Sequence, residues 1–338
     1  MKSIFKIFLI LSLVIQNNFA QQKLGQTGFK FLNYGMDARA TSMGQAFTAL
    51  EANSQSIFYN SSSMARQKEF LNISIGSTKW IADITDNYLS ASINPYDGEF
   101  GVFGLYFQSV DYGLIEGTIF ANNEVGYLDE KDMPGLNIKP TALSMGVGYA
   151  KALSDKFSVG GNLKYVAQDL GESVVDKSSD GVYTKKSERL NLFAFDFGLL
   201  YKTGYKSLNF GMTIRNFAQE VKFEKERFQL PLIFKIGASV NAIDFFDEID
   251  KSQHSLLVSV DATHPRDYPE QLNLGMEYQF MEFFALRSGY MFNNDVYGFT
   301  SGVGVRQSLA GTNFGIDYAF TPFDVFDSVH RFSLQFSF

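Results

Sequence analysis

Gln271-Leu272-Asn273-Leu274-Gly275-Met276-Glu277-Tyr278-Gln279-Phe280 alternates without a break: Leu272, Leu274, Met276, Tyr278 and Phe280 are apolar, and the residues between them are polar or glycine. A period of two places one set on each face of a β-strand. Ten residues of this pattern match a strand that crosses a bilayer with one face toward lipid and the other toward a polar interior. The same alternation sets Leu232, Phe234, Ile236, Ala238 and Val240 against Ile233, Lys235, Gly237, Ser239 and Asn241. It also sets Phe157, Val159, Gly161, Leu163 and Tyr165 against Ser158, Gly160, Asn162 and Lys164.

Fourteen such runs follow Phe70, near 70–77, 87–94, 99–111, 140–151, 156–169, 190–202, 206–218, 231–243, 253–263, 270–280, 283–292, 296–305, 312–320 and 329–338. An even number returns both ends of a closed sheet to the same side. Transmembrane barrels have short periplasmic turns and longer outer loops. If the first strand starts in the periplasm, the outer connections include the long 112–139 and 170–189, together with 219–230. The inner ones are short, except 244–252. The expectation is an all-β, fourteen-stranded antiparallel transmembrane barrel spanning 69–338.

The composition agrees. The 338 residues hold 35 Phe, 17 Tyr and 29 Gly but only seven Pro, and strands favour aromatic side chains where helical bundles favour Leu and Ala. A mean hydropathy of −0.07 does not fit a polytopic helical membrane protein. If the chain lies in a bilayer it does so as a closed barrel, because only helices and barrels satisfy every backbone group there. A net charge of −7 argues against nucleic-acid binding, which favours a basic face. Without cysteine there is no disulfide, thiolate zinc site or cysteine nucleophile.

Lys2 and Lys6 precede an apolar run, Ile7–Ile15, that ends near Asn18-Phe19-Ala20. This is the order of a signal peptide, read as residues 1–20, and the run is shorter than the roughly 20 residues of a spanning helix. Its removal takes two lysines and moves the charge from −7 to −9.

Residues 21–68 have another texture. Gly25, Gly28, Gly35 and Gly44 interrupt them, and Asp37–Glu51 is helix-compatible, with Asp37 as a cap and Met43, Ala46, Phe47 and Leu50 on one face. This segment is expected to plug the barrel, with Arg39, Met43, Phe47 and Asn60 as its principal side chains.

On the late strands, Glu277, Arg287, Arg306, Asp317 and Arg331 fall opposite the Phe/Leu face. They are expected to form a charge network in the lumen, where buried arginines need acidic partners. The last strand, Arg331-Phe332-Ser333-Leu334-Gln335-Phe336-Ser337-Phe338, carries its aromatics on one face and ends on Phe338, which resembles the C-terminal signal read by outer-membrane assembly machinery.

Enzyme chemistry is poorly supported. His254, His264 and His330 are the only histidines, and no H-E-x-x-H, G-x-S-x-G or P-loop pattern occurs. Gly146-x-Gly148 and Gly302-x-Gly304 lie inside strands, where glycine permits close packing or a kink. Asp129-Glu130-Lys131-Asp132 could bind calcium but reads better as a solvated charge cluster. No cofactor and no metal is expected.

Several stretches resemble the PorV/PorQ family of outer-membrane proteins, related to the FadL transporters. They are Gly28-Phe29-Lys30-Phe31-Leu32, then Ala38-Arg39-Ala40 and Met43-Gly44-Gln45-Ala46, and Tyr59-Asn60-Ser61-Ser62-Ser63-Met64-Ala65, where Ser61 replaces the family's proline. Further on come Asp261-Ala262-Thr263-His264-Pro265 with Glu270, Asn273–Tyr278, Leu286–Tyr290, Asp317–Phe320 with Pro322-Phe323, and His330–Leu334. The resemblance implies a FadL-like barrel obstructed by its N-terminal segment, in the outer membrane of a Gram-negative-type cell. It also implies a role in type IX secretion or surface attachment, with translocon or cargo C-terminal domains as protein partners. The alternative it implies is passage of hydrophobic small molecules. The outer loops 112–139 and 170–189 would serve the first role, and an apolar channel past the plug the second. Outer-membrane lipid is the expected surroundings in both cases.

Overall fold

The computed structural model describes residues 27–121, 126–131, 135–177, 182–294, 298–309, 311–323 and 326–338. The signal-peptide reading of 1–20 and the first residues of the 21–68 segment lie outside the described residues.

Fourteen strands close one antiparallel barrel. In chain order they are β1 Leu71–Lys79, β2 Thr85–Ile93, β3 Val102–Asp111, β4 Thr141–Ala152, β5 Phe157–Lys177, β6 Tyr183–Lys202 and β7 Asn209–Phe217. They continue with β8 Ile233–Asn241, β9 His254–Pro265, β10 Gln271–Phe280, β11 Phe284–Phe292, β12 Phe299–Leu309, β13 Thr312–Thr321 and β14 Val329–Ser337. Each pairs with its sequence neighbours, and β14 returns to β1 with Ser337 opposite Asn72 and His330 opposite Lys79. All fourteen expected strands are present, close to their expected bounds except for β5 and β6, which run longer.

The alternation maps onto the two faces as expected. Leu272, Leu274 and Met276 point outward and are exposed, while Asn273 and Glu277 on the alternate face are buried in the lumen. Phe103, Leu105 and Phe107 of β3 and Phe193, Phe195 and Phe197 of β6 extend the exposed apolar surface around the wall. Among the described residues no helix is long and apolar enough to cross a membrane. The exposed apolar face around the wall is read as the lipid face. Met276→Arg, at the middle of β10, should destabilise the folded barrel by about 2–4 kcal/mol, the range for a cation at the bilayer midplane. Equilibrium refolding into lipid vesicles measures it.

The structure corrects the sequence reading in two places. Residues 170–189, expected as an outer loop, are largely strand. β5 and β6 continue as one hairpin to Lys177 and Tyr183, with register shifts between Asp169 and Glu172 and between Val174 and Asp176. Gly171, at φ +88°, takes up the first irregularity, and a bulge of this kind lets a ladder continue past an extra residue. The outer loops 112–139 and 219–230 also carry small hairpins, Ile119–Ala121 with Gly126–Leu128 and Val221–Phe223 with Glu226–Phe228.

The second correction concerns Asp37–Glu51, where only Ala38–Ser42 is α-helical. Gly44 at φ +61° and Gln45 at φ +57° turn the chain out of the helix.

Candidate functional site

The segment from Thr27 to Gln67 fills the lumen rather than standing beside the barrel. Asp37 starts its short helix by accepting a hydrogen bond from Ala40 N at 3.0 Å. The helix then ends against the wall. Gly44 N donates to Thr300 Oγ1 at 3.0 Å, and Thr300 Oγ1 donates to Ser42 O at 3.0 Å. Backbone meets backbone at these contacts: a Cβ on Gly289 of β11 would lie 2.1 Å from Gly44 N, and one on Gly160 of β5 would lie 2.6 Å from Ser62 N. Only glycine in the wall permits that approach. Met43 and Phe47 are buried in an apolar cluster with Met36, Leu50, Ile57, Phe58 and Tyr59, which packs on Tyr88 and Tyr106 of the wall.

Asn60 anchors the second half of the segment. Its Nδ2 donates to Thr48 O at 2.7 Å and to Leu199 O of β6 at 3.0 Å. Its Oδ1 accepts from Ser62 N and Ser62 Oγ, which caps the 3-10 turn Ser61–Arg66. This side chain holds the turn at Ser61, where the PorV/PorQ resemblance leads to the expectation of a proline.

Arg39 projects from the helix into the late strands. Its Nε and Nη2 donate to Glu277 Oε2 and Oε1 at 2.8 and 2.7 Å, a two-pronged contact. Arg287 Nε donates to the same Glu277 Oε2 at 2.5 Å, and its Nη1 donates to Asp317 Oδ1 at 2.7 Å. Arg306 completes the chain, with both Nη atoms 3.3 Å from Asp317 Oδ2. The five groups form a zigzag of three guanidinium cations and two carboxylates, in which each carboxylate serves two arginines. The structure thus brings together Glu277, Arg287, Arg306 and Asp317 and joins Arg39 to them.

Arg331 stands at the outer end of the lumen. Its Nε donates to Gly35 O at 3.2 Å and its Nη1 to Thr321 Oγ1 at 3.0 Å, with the guanidinium 4.8 Å from the Trp80 ring centre. These contacts tie it to the backbone of the lumenal segment.

Three further anchors were not singled out from the sequence. Asp261 Oδ2 accepts from Phe47 N at 3.0 Å, Thr48 N at 3.1 Å and Thr48 Oγ1 at 2.6 Å. Lys164, Asp196 and Asn216 form a buried cluster, beside which Arg215 Nη2 donates to Leu32 O at 3.1 Å. At the join of β1 and β14, Asn72 Nδ2 donates to Ser337 Oγ at 2.7 Å, and Asn72 Oδ1 accepts from Ser54 N at 3.0 Å. Nearby, Ser333 Oγ accepts from Tyr88 Oη at 3.0 Å and from Ala38 N at 2.9 Å. Alternation already puts Lys164, Asp196 and Asp261 on the inward face. No local pattern says which atoms of the lumenal segment they meet.

Two cavities flank the filled region. One, of about 520 Å³, opens at the short-turn end between the segment and β10–β14. The other, of about 170 Å³, lies at the opposite mouth beside Tyr34, Trp80, Lys235 and Tyr268. Within the filled region, a void beside Met36, Phe58, Tyr106 and Arg215 measures about 10 Å³. That is room for about one water at most.

The histidines do not converge. His254 Nδ1 lies 2.8 Å from Tyr278 Oη and His330 Nδ1 lies 2.8 Å from Tyr318 Oη, each pair on adjacent strands near opposite rims. His264 is exposed, with Nδ1 3.2 Å from Glu270 Oε1. Glu130 is engaged within its own loop: its carboxylate accepts from Asn137 N at 2.8 Å and Gly135 N at 2.6 Å, and these bonds hold it below the usual carboxylate range. Asp132 lies outside the described residues. Among the described residues, no group of three His, Asp or Glu is placed to hold a metal ion.

Solved structures of transport proteins share this architecture. The chain is similar to the Ralstonia pickettii toluene transporter TbuX at 11% identity and a TM-score of 0.58, covering 90% of this chain and 98% of that one. The Pseudomonas putida toluene transporter TodX gives 12% identity and 0.56, with 90% and 97% covered. The CymD monoaromatic hydrocarbon channel gives 13% and 0.55, with 90% and 98% covered. At these identities the likeness establishes the FadL-like barrel alone. Among curated proteins none matches the sequence. The match that names a family covers residues 116–336, from the first long outer loop to the last strand, and is described as type IX secretion system membrane protein PorP/SprF. The resemblance to PorV/PorQ pointed to type IX secretion through a different subgroup name. On that match, this fourteen-stranded outer-membrane barrel belongs to the PorP/SprF family of type IX secretion system membrane proteins.

Proposed function

We propose that this barrel acts as a non-enzymatic docking protein of the type IX apparatus, as the PorV/PorQ resemblance implies, binding translocon or cargo proteins while its lumen stays plugged. The observation that carries this reading is the way the N-terminal segment is fastened. Charge pairs, backbone hydrogen bonds and glycine-lined contacts tie it to strands around the barrel, and a void within it has room for about one water at most. A plug so fixed leaves the surface as the working part.

The outer side offers that surface. The β5–β6 hairpin extends beyond the neighbouring β7, whose ladder with β6 ends at Phe195 and Phe217. Lys185 Nζ donates to Gly135 O at 2.6 Å, so the hairpin and the 112–139 loop support each other. Together they make a broad platform of backbone edges and charged side chains suited to a protein partner.

FadL-like passage of hydrophobic compounds is the competing reading, and the toluene transporters TbuX and TodX suggest its substrate class. Against it, the lumen is crossed by Arg39, Glu277, Arg287, Asp317, Lys164 and Asp196, which a lipophilic solute would have to pass.

Deleting the 112–139 loop and the outer end of the β5–β6 hairpin, residues 170–189, should abolish co-purification of secretion partners from solubilised outer membrane, with the barrel still folded. Normal surface delivery of exported proteins by that variant would refute the proposal.

A further inference from the structure

β6 loses one neighbour before it ends. Its ladder with β7 stops at Phe195 and Phe217, while its ladder with β5 runs on to Tyr183. Beyond Phe217 the chain leaves the wall, and Val221 is buried with Phe29, Ala194 and Leu230 in an apolar cluster inside the barrel. A cleft of about 840 Å³ remains between β6, from Arg189 to Phe195, and the segment from Phe217 to Lys222. The outward face of β6 is apolar at Phe197, Phe195 and Phe193 and polar at Asn191 and Arg189, which sets the cleft at the outer margin of the lipid face.

The open edge presents a defined set of backbone groups. Lys202 N donates to Lys156 O on the β5 side at 2.7 Å, and Phe197 O accepts from Thr213 Oγ1 of β7 at 3.1 Å. Successive residues of a strand turn their N–H and C=O to opposite neighbours, so the odd-numbered residues of β6 face the β7 side. Arg189, Asn191 and Phe193 therefore direct these groups into the cleft, where no described residue pairs with them. Phe193 and Phe217 flank the cleft outside, and Leu190, Leu192 and Ala218 line it toward the lumen. Arg189 and Lys222 are exposed and make no ion pair among the described residues, whereas Glu220, also in the lining, accepts from Gln229 Nε2 at 2.9 Å. Lys186 and Glu224 meet across the outer end, an exposed pair of little strength.

We infer that β6 binds an extended segment of a partner protein as an added β-strand along Arg189–Phe193. The inference rests on the docking reading and names its mode. An unpaired strand edge is a template for another chain, and main-chain hydrogen bonds give such additions their affinity. The N–H and C=O groups of Arg189, Asn191 and Phe193 recur about every 6.6 Å, a spacing that an extended backbone matches and an acyl chain cannot bond. The added segment would have aromatic neighbours on one face and aliphatic ones on the other, so its side chains are apolar or β-branched. At its outer end, beside Arg189 and Lys222, it carries an acidic residue.

The test titrates the protein in detergent micelles, by calorimetry, with two acetylated and amidated hexapeptides, EVTVTV and its reverse VTVTVE. Saturable binding is expected, and the tighter of the two gives the direction of the added strand. The same peptide N-methylated at every residue keeps its side chains and loses its donors, and should bind about tenfold or more weakly. Asn191→Pro removes an N–H that faces the cleft and none that bonds to β5, so it should weaken binding by a similar factor, while Asn191→Ala, which keeps that N–H, should not. The methylated peptide is read on the unaltered protein, so the test stands if the proline variant fails to fold. Equal binding of the methylated peptide would assign the cleft to apolar adsorption, as by lipid, and a dimer in micelles lost with Asn191→Pro would assign it to a second copy of this chain. Either overturns the inference, as does no saturable binding up to about 1 mM. If the peptides fail while the loop deletion still abolishes co-purification, strand addition falls and the docking reading stands.

Discussion

Glu277→Ala should release the N-terminal segment from the wall while the barrel persists. The substitution removes the carboxylate that Arg39 and Arg287 share and leaves two buried cations facing each other, with only Arg287 retaining a carboxylate, that of Asp317. Breaking a buried pair by deleting one partner costs about 3–5 kcal/mol, most of it the penalty of the charge left behind. The cost falls on seating of the segment, because the backbone ladders of β10 and β11 do not involve the Glu277 side chain. Two measurements read the outcome: protease cleavage within residues 27–66 and ion conductance across planar bilayers should both rise, while strand content by circular dichroism stays unchanged. A second arm isolates the ion pair. Replacing both partners with apolar groups, Arg39→Met with Glu277→Leu, should recover a large part of the loss, since the stranded charge is gone. Unchanged cleavage and conductance in Glu277→Ala would show that the segment is held without this pair.

Gly289→Val tests the same seat sterically. The new Cβ would have to occupy a point 2.1 Å from Gly44 N, and neither backbone can yield without breaking its hydrogen bonds to Thr300 or along β11. Overpacking a close-packed contact costs typically about 1–3 kcal/mol and occasionally more, and a clash between two backbones belongs at the upper end. The reading is again exposure of 27–66 to protease, together with labelling of a cysteine placed at Ser42. Gly161→Ala serves as the control, because a Cβ there points outward and its nearest neighbour, Asp196 O, is 3.3 Å away. It should leave the segment protected, so a matching loss in both variants would point to general destabilisation of the wall.

The barrel was legible because its physics is local. Each strand buries one face in a polar interior and exposes the other to lipid, so the side-chain period of two is written into every ten residues, as at Leu272–Phe280. Legibility failed where that pressure lapses. Beyond the bilayer the β5–β6 hairpin has no lipid face to mark it, and Glu172, Lys185 and Lys186 read as loop although their backbones are paired. Asp37–Glu51 reads as helix by spacing, yet the wall glycines draw Gly44 into a left-handed turn that a helical pattern does not foresee. The charged residues of the late strands could be assigned to the lumen one by one. Their pairing with Arg39 joins positions 238 apart, and a single sequence carries no sign of that partnership. Family identity follows the same division: the motifs of the second half lie inside the region that matches PorP/SprF, and what separates subgroups is not visible in strand alternation.

The hydroxyl and amide contacts at the β1–β14 join have a consequence for biogenesis. Ser54 and Ala38 touch Asn72 and Ser333, so the earliest part of the chain lies across the place where the sheet's two edges finally meet. Edges held together only by their ladder would close over whatever happened to be inside. Here closing the sheet also completes contacts to the lumenal segment, so seating of that segment and closure of the cylinder favour one another.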